Sequence, residues 1–176
     1  MKPIVLACLF AGLCLPAFSE PVASASDGFQ IRLERGSEIS PEEVFEKIGD
    51  LPSWWSSAHT YSGDAANLEL NSMDPGGIWL ETWEDGKVEH GRVIARFTQE
   101  DTQTIRFNAA FGPLQDIAAN GVLTISVSPE TDPDTPEQSQ ILFSYHVTGA
   151  SYQKLENWAG PVDQVLTQQI DNLAGD

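Results

Sequence analysis

The chain has 176 residues, of which 41% are hydrophobic, so its length suits one domain with a sizeable core. It carries 26 acidic residues against 9 basic ones, which gives a net charge of −17. Such an acidic surface repels nucleic acid and anionic lipid headgroups, and it argues against a function in binding either of them.

The N-terminal segment has the order of a secretory signal peptide. Lys2 gives a positive start, residues 4–15 form an apolar run, and a short stretch that includes small residues follows at 17–19. The run is shorter than the roughly 20 apolar residues that a membrane-spanning helix needs. We therefore predict a signal peptide over residues 1–19, with a second candidate cut after residue 25. The alternative is an uncleaved membrane anchor.

Cleavage has consequences for the chemistry and location of the mature chain. Both cysteines, Cys8 and Cys14, lie inside the predicted signal peptide. Their removal excludes disulfides, thiol nucleophiles and thiolate metal sites. We predict a periplasmic or secreted protein with no integral membrane association after cleavage.

The rest of the chain, residues 28–176, is predicted to form one domain that begins with a strand and a short helix. Apolar and polar residues alternate over 29–34, which indicates a strand. Ser40 suits a helix N-cap, Pro41 suits the first helical position, and Glu43 completes a capping box. A short helix therefore follows the first strand.

Six more strands and one long helix complete the predicted order. The predicted strands are 67–71, 78–84, 87–97, 104–109, 122–128 and 140–147. The C-terminal segment has an apolar stripe at three- and four-residue spacings, which predicts a helix of about 20 residues. The stripe consists of Leu155, Trp158, Ala159, Val162, Leu166, Ile170 and Leu173.

Strands and helices that are separated along the chain are typical of the α+β class. We predict a curved, seven-stranded antiparallel sheet wrapped around the long C-terminal helix, with short helices after the first strand. One helix cannot fill the concave side of a strongly curled sheet. The remaining space must hold a ligand or large side chains, and the alternative is that the tryptophans simply fill the core.

Eight segments of the domain have the pattern of a known superfamily. They are residues 41–45, 54–55, 76–81, 90–93, 112–115, 121–124, 145–149 and 162–166. On these segments, which extend over about residues 29–173, the chain resembles the SRPBCC superfamily of START-like, helix-grip proteins. It is most similar to a polyketide-cyclase-like or heat-shock-ATPase-activator-like bacterial branch. The resemblance implies a helix-grip fold with a deep apolar cavity, but no single reaction, because members bind lipids, transport ligands, cyclise polyketides or assist chaperones.

One polar pair on the predicted hairpin of residues 78–97 is a candidate for chemistry. With Asp85-Gly86 as a two-residue turn, Glu81 lies directly opposite His90, and their Cβ atoms are about 5 Å apart. Trp79 and Trp83 share this face, so the acid and the imidazole are expected between two indoles. The sequence does not decide which face of this hairpin points to the cavity, because a β-bulge near residue 91 would switch the alternation midway.

Such a pair suits general acid–base catalysis or the orientation of a polar ligand group, and the alternative is a surface salt bridge. Glu81 and His90 are the candidate catalytic residues. The predicted ligand-binding residues are Trp54, Trp55, Trp79, Glu81, Trp83, His90, Phe111, Gln115, Tyr145 and Trp158. His59 is expected to be solvated and His146 to point outward. We predict no metal site and no cofactor.

Three functions from different classes follow from these patterns. The first is an exported binding or carrier protein for a small hydrophobic molecule, lipid-like or aromatic, held between sheet and helix. The second is a cyclase- or dehydratase-type enzyme that uses Glu81 and His90. The third is a protein-interaction module, with a homodimer as its simplest form.

Overall fold

The computed structural model describes residues 21–131 and 138–175, so the predicted signal peptide over 1–19 lies outside the described residues. The described strands are β1 (Ala23–Ala25), β2 (Gly28–Ser37), β3 (Leu68–Leu70), β4 (Ile78–Trp83), β5 (Gly86–Gln99), β6 (Thr102–Asn108), β7 (Asn120–Pro129) and β8 (Ser139–Thr148). The described helices are α1 (Pro41–Gly49), α2 (Pro113–Asp116) and α3 (Glu156–Ala174).

The strands form one antiparallel sheet in the order β1-β2-β8-β7-β6-β5-β4-β3. This sheet and the long helix α3 confirm the predicted α+β, helix-grip architecture. The sheet has eight strands instead of the predicted seven, because β1 pairs with β2 at one edge. All three residues of β1 are exposed, so the strand has no alternation of apolar and polar residues that sequence reasoning detects.

Helix α1 starts as the sequence predicts. The Ser40 side chain accepts a hydrogen bond from the Glu43 backbone N–H, and its hydroxyl donates to the Glu43 carboxylate. The apolar face of α1 is buried through Val44, Phe45 and Ile48. This face packs against β7 and β8.

Helix α3 crosses the sheet over β2 and β8. Its buried apolar residues follow the predicted stripe and include Ala159, Leu166, Ile170 and Leu173. The Lys47 ammonium, from α1, donates to the carbonyls of Asn172 and Leu173 at 2.9 and 3.0 Å. A cation on the last carbonyls of a helix satisfies groups that have no intrahelical partner and complements the helix dipole.

Aromatic side chains fill the middle of the space between sheet and helix. The rings of Trp54 and Trp79 are 6.1 Å apart, and Trp79 lies 5.6 Å from Phe107. Phe143 packs on Trp54 at 6.2 Å. All of these contacts are T-shaped, the arrangement that aromatic quadrupoles favour. Trp54 and Trp79 therefore fill the core, as the alternative interpretation of the tryptophans predicted.

The hairpin of β4 and β5 turns one residue earlier than predicted. Trp83 pairs with Gly86, and the two residues between them form the turn. The predicted direct pairing of Glu81 with His90 is therefore wrong, and Glu81 lies opposite Val88. The Trp83 indole lies over Gly86, where a Cβ atom would be 2.3 Å from the ring, so a larger residue here would have to displace the indole.

The acid and the imidazole nevertheless lie in contact, next to a β-bulge at Trp79. Trp79 pairs with Gly91, and the bulge leaves His90 as the extra residue on β5. His90 and Gly91 are both buried, whereas neighbours on a regular strand point to opposite faces. His90 lies two residues after Val88, so it shares the concave face of Val88 and of its partner Glu81, and the bulge brings Gly91 to that face as well.

The packing of α3 gives the first prediction. Ile170 is 0% exposed between α3 and the sheet. Ile170→Ala should lower the free energy of unfolding by about 2–5 kcal/mol, because it leaves a cavity in the core. Urea denaturation measures the change. Gln164→Ala, on the exposed face of the same helix, is the control and should stay within about 0.5 kcal/mol of the parent. Equal effects of the two substitutions would contradict this packing.

Candidate functional site

A cavity of about 390 Å³ lies between the first half of α3 and two loops that follow α1 and β6. From the sheet, the His90 side chain on β5 lines the cavity. Most of the wall is aromatic or aliphatic. The lining residues are Trp55, Ala58, His59, Thr60, Tyr61, His90, Phe111, Gly112, Pro113, Leu114, Asp116, Trp158, Pro161, Val162, Val165 and Leu166.

The first loop is fixed to α3 by side-chain amides. The backbone N–H of Ser56 donates to Oε1 of the buried Gln169 at 2.8 Å. The ring Nε2 of His59 lies 2.9 Å from Oε1 of Gln168, the residue before Gln169 on the helix. The Trp55 indole N–H donates to the His59 carbonyl at 3.0 Å. The loop is therefore held across the helix with Trp55 and His59 at the cavity wall.

The second loop is shaped by glycine and proline. Gly112 has a φ of 53° and a ψ of −130°, a backbone conformation that glycine adopts without steric cost. Pro113 then starts α2, where a proline fits the first helical position. The Gln115 side chain donates to the Glu89 carbonyl at 2.8 Å and ties α2 to β5. This loop places Phe111 at the wall.

The carboxylate of Glu81 connects the first loop to the sheet. It is 0% exposed and accepts hydrogen bonds from the backbone N–H groups of Tyr61 and Ser62, at 3.0 and 2.5 Å. His90 Nε2 lies 2.8 Å from the same carboxylate. Three donors thus converge on one buried acid, as a buried charge requires.

Burial and hydrogen bonding together set the protonation states of Glu81 and His90. Burial alone raises the pKa of Glu81, but the donors from Ser62, Tyr61 and His90 outweigh it and leave the pKa below its ordinary value. Burial lowers the pKa of His90 more than the hydrogen bond and the charge of Glu81 raise it. The pair at neutral pH is therefore a carboxylate and a neutral imidazole. Nε2 carries the proton that faces Glu81, and Nδ1 keeps its lone pair.

Tyr61 and Asp116 are further polar residues at the cavity. The Tyr61 ring lies 5.8 Å from the His90 ring, and the side chain is 47% exposed. Burial raises the pKa of Tyr61, and the negative charges of Asp116 and Glu81 raise it further. The cavity therefore combines apolar walls with a hydroxyl, an imidazole and a carboxylate.

Four of the predicted ligand-binding residues lie on the cavity wall, namely Trp55, His90, Phe111 and Trp158. Six do not, namely Trp54, Trp79, Glu81, Trp83, Gln115 and Tyr145. Trp54 and Trp79 are core residues, and Glu81 lies behind His90. The Tyr145 hydroxyl donates to the Ala109 carbonyl at 2.9 Å, inside the core. The cavity is thus displaced from the sheet centre towards the loops.

Twelve of the sixteen wall residues were not in the predicted ligand-binding set, and three of these twelve have titratable side chains. His59 was expected in solvent, but it lines the cavity and is half-buried. Tyr61 and Asp116 also line it. Loop residues have no periodicity that reports which side faces inward, so only their closeness to Trp55 and Phe111 in the sequence was a signal. His146 is exposed, as predicted.

The described residues contain neither a metal-ligand cluster nor a helix suited to span a membrane. Within residues 21–131 and 138–175, no group of three or more His, Cys, Asp or Glu side chains is placed to hold a metal ion. No helix in these ranges is both long and apolar enough to cross a bilayer.

Comparison with known proteins identifies the fold. No family model and no curated protein matches the sequence. A hypothetical protein of Helicobacter pylori superposes with a TM-score of 0.56 at 10% identity, over 99% of this chain and 98% of that one. A protein of unknown function from Staphylococcus aureus superposes with a TM-score of 0.56 at 15% identity, over 84% of this chain and 91% of that one. Norcoclaurine synthase of Thalictrum flavum, in complex with dopamine and hydroxybenzaldehyde, superposes with a TM-score of 0.52 at 14% identity. The match covers 99% of this chain and 95% of that one. The chain therefore has the helix-grip fold.

Proposed function

We propose that this chain is an exported binding or carrier protein for a small hydrophobic molecule, lipid-like or aromatic, held between α3 and the two loops. The observation that carries the proposal is the cavity of about 390 Å³, whose wall is largely aromatic and aliphatic with a few converging polar groups. Small-molecule sites have this size and composition. The structure of norcoclaurine synthase with two small aromatic molecules supports an aromatic ligand on this fold.

Membership of the polyketide-cyclase-like or heat-shock-ATPase-activator-like branch is part of the same proposal. It is supported by the resemblance of short sequence segments, including 76–81 and 90–93. One of these segments holds His90, which lines the cavity, and the other holds Glu81, which orients it.

Binding is tested with N-phenyl-1-naphthylamine, a neutral probe that fluoresces in apolar surroundings. The parent protein should bind it in the cavity. Val162→Trp should weaken binding at least about tenfold, because the larger side chain occupies the space of the probe. Fluorescence titration gives both dissociation constants.

The matched control is Gln164→Trp, which adds the same ring to the exposed face of α3. It should bind the probe within about twofold of the parent. Equal losses in the two variants, or no binding by the parent, would refute the cavity as the binding site.

Export is supported by the N-terminal sequence and gives a second test. A cut after residue 19 keeps Ala23–Ala25, whereas a cut after residue 25 removes them and with them the strand that pairs with β2. We expect the mature protein, recovered from the periplasm or culture medium, to begin at Glu20. N-terminal sequencing checks this. A chain that starts at Met1 and stays in the cytoplasm would refute export.

A second candidate function is acid–base chemistry of the cyclase or dehydratase type. The observation in its favour is the 2.8 Å contact between His90 Nε2 and the ionised Glu81, at the wall of the cavity. A carboxylate that holds Nε2–H leaves the Nδ1 lone pair as a base for a bound molecule. This role needs a neutral His90 at working pH.

The neutral state of His90 predicts a pH dependence of stability. Its pKa is lowered in the folded protein, so below 6.5 the unfolded chain takes up a proton more readily than the folded one. The free energy of unfolding should therefore fall as the pH drops below 6.5 towards the folded pKa. Glu81, with its pKa also lowered, adds a separate loss below 4.5. Urea denaturation across pH 7 to 4 measures both.

His90→Gln removes the imidazole, so the free energy of unfolding should fall less steeply just below pH 6.5 than it does in the parent. His146→Gln, on the exposed face of β8, is the control and should keep the parent profile. A parent profile that His90→Gln leaves unchanged would count against the buried neutral imidazole.

A further inference from the structure

The wall of the cavity contains no lysine or arginine side chain. The sequence has nine lysines and arginines, and eight of them fall in the described residues because Lys2 does not. None of the eight lines the cavity. Four of them form ion pairs with carboxylates elsewhere, namely Arg32, Arg35, Arg92 and Arg96. An anionic ligand would therefore enter this site without a countercharge.

Two carboxylates, in contrast, lie at or just behind the cavity wall. Asp116 lies on the wall itself, at the end of α2. Glu81 lies one side chain behind the wall, and its donors are two backbone N–H groups and the imidazole of His90. These donors satisfy its oxygens but bring no positive charge, because His90 is neutral. The negative charge of a buried group is screened only weakly by solvent.

Aromatic rings form much of the remaining wall. Trp55, Tyr61, Phe111 and Trp158 all line the cavity. The faces of such rings attract an organic cation, with Trp the strongest of them. Carboxylates and ring faces, with no lysine or arginine beside them, make a site whose chemistry selects positive charge.

We propose that the ligand of this cavity is a small organic cation, an ammonium group carried on an apolar body, with its charge near Asp116 and the aromatic rings. The inference rests on the proposed function, since it specifies the class of molecule that the cavity takes. It is supported by Tyr61, whose pKa is raised by the charges of Asp116 and Glu81 in addition to burial. The potential at this part of the wall is therefore negative.

Three matched probes separate charge from hydrophobic contact: 2-(2-naphthyl)ethylamine, 2-(2-naphthyl)ethanol and 2-naphthylacetate. At pH 7 they are a cation, a neutral molecule and an anion on the same ring system. Calorimetric titration of the protein should give an amine affinity about tenfold higher than that of the alcohol. The acetate should bind more weakly than the alcohol.

The role of the wall carboxylate is tested with Asp116→Asn. This variant should reduce the ratio of amine to alcohol affinity about threefold, the size expected for an exposed carboxylate. Asp101→Asn, in the exposed turn between β5 and β6, removes the same net charge and should leave the ratio unchanged.

Each other result overturns a stated part of the proposal. If the alcohol or the acetate binds as tightly as the amine, the cationic ligand is refuted and the apolar binding site stands. If Asp116→Asn and Asp101→Asn change the ratio equally, the placement of the charge at Asp116 is refuted. If none of the three probes binds, the proposed function fails and the inference fails with it.

Discussion

The buried carboxylate of Glu81 is the interaction on which the candidate site depends. It lies on β4, and it receives two backbone N–H groups from the loop after α1 and the imidazole of His90 from β5. Each donor left without this acceptor inside the protein would cost about 1–3 kcal/mol. One side chain therefore sets both the course of the loop over the cavity and the orientation of the ring at its wall. His90 reaches Glu81 diagonally across the hairpin, because it lies two residues after Val88, the residue opposite Glu81.

A second constraint decides where the cavity lies. The middle of the concave face is filled by Trp54, Trp79, Phe107 and Phe143, so no large space remains over the sheet centre. The open volume lies instead between the loops and the first half of α3. Its walls are thus mainly loop and helix residues, which are fixed to one another by the amides of Gln168 and Gln169. This placement lets the loops set ligand chemistry on a sheet that serves as scaffold.

The sequence predicts the architecture well because the elements have strong periodic patterns. The stripe of α3 and the alternation in β2 come from burial of one face, whereas the Ser40 cap comes from the hydrogen bonds that start α1. The exposed strand β1 has no such pattern and was missed. The site was predicted less well. Glu81 and His90 were identified as a pair, but through a hairpin whose turn was placed one residue too late. The observed register sets Val88 opposite Glu81, and the contact remains because His90, two residues further along β5, lies on the same face. His59, Tyr61 and Asp116 lie in or next to loops, where only three-dimensional contacts determine which side chains face the cavity.

The central claim is that this cavity holds a small, largely apolar molecule. The most direct measurement is a crystal structure of the protein purified from its native host. The account predicts continuous electron density for a bound molecule bordered by Trp55, Phe111 and Val162, with a polar group near His90 or Asp116. A cavity closed by rearranged side chains, or one that holds only ordered water, would contradict it.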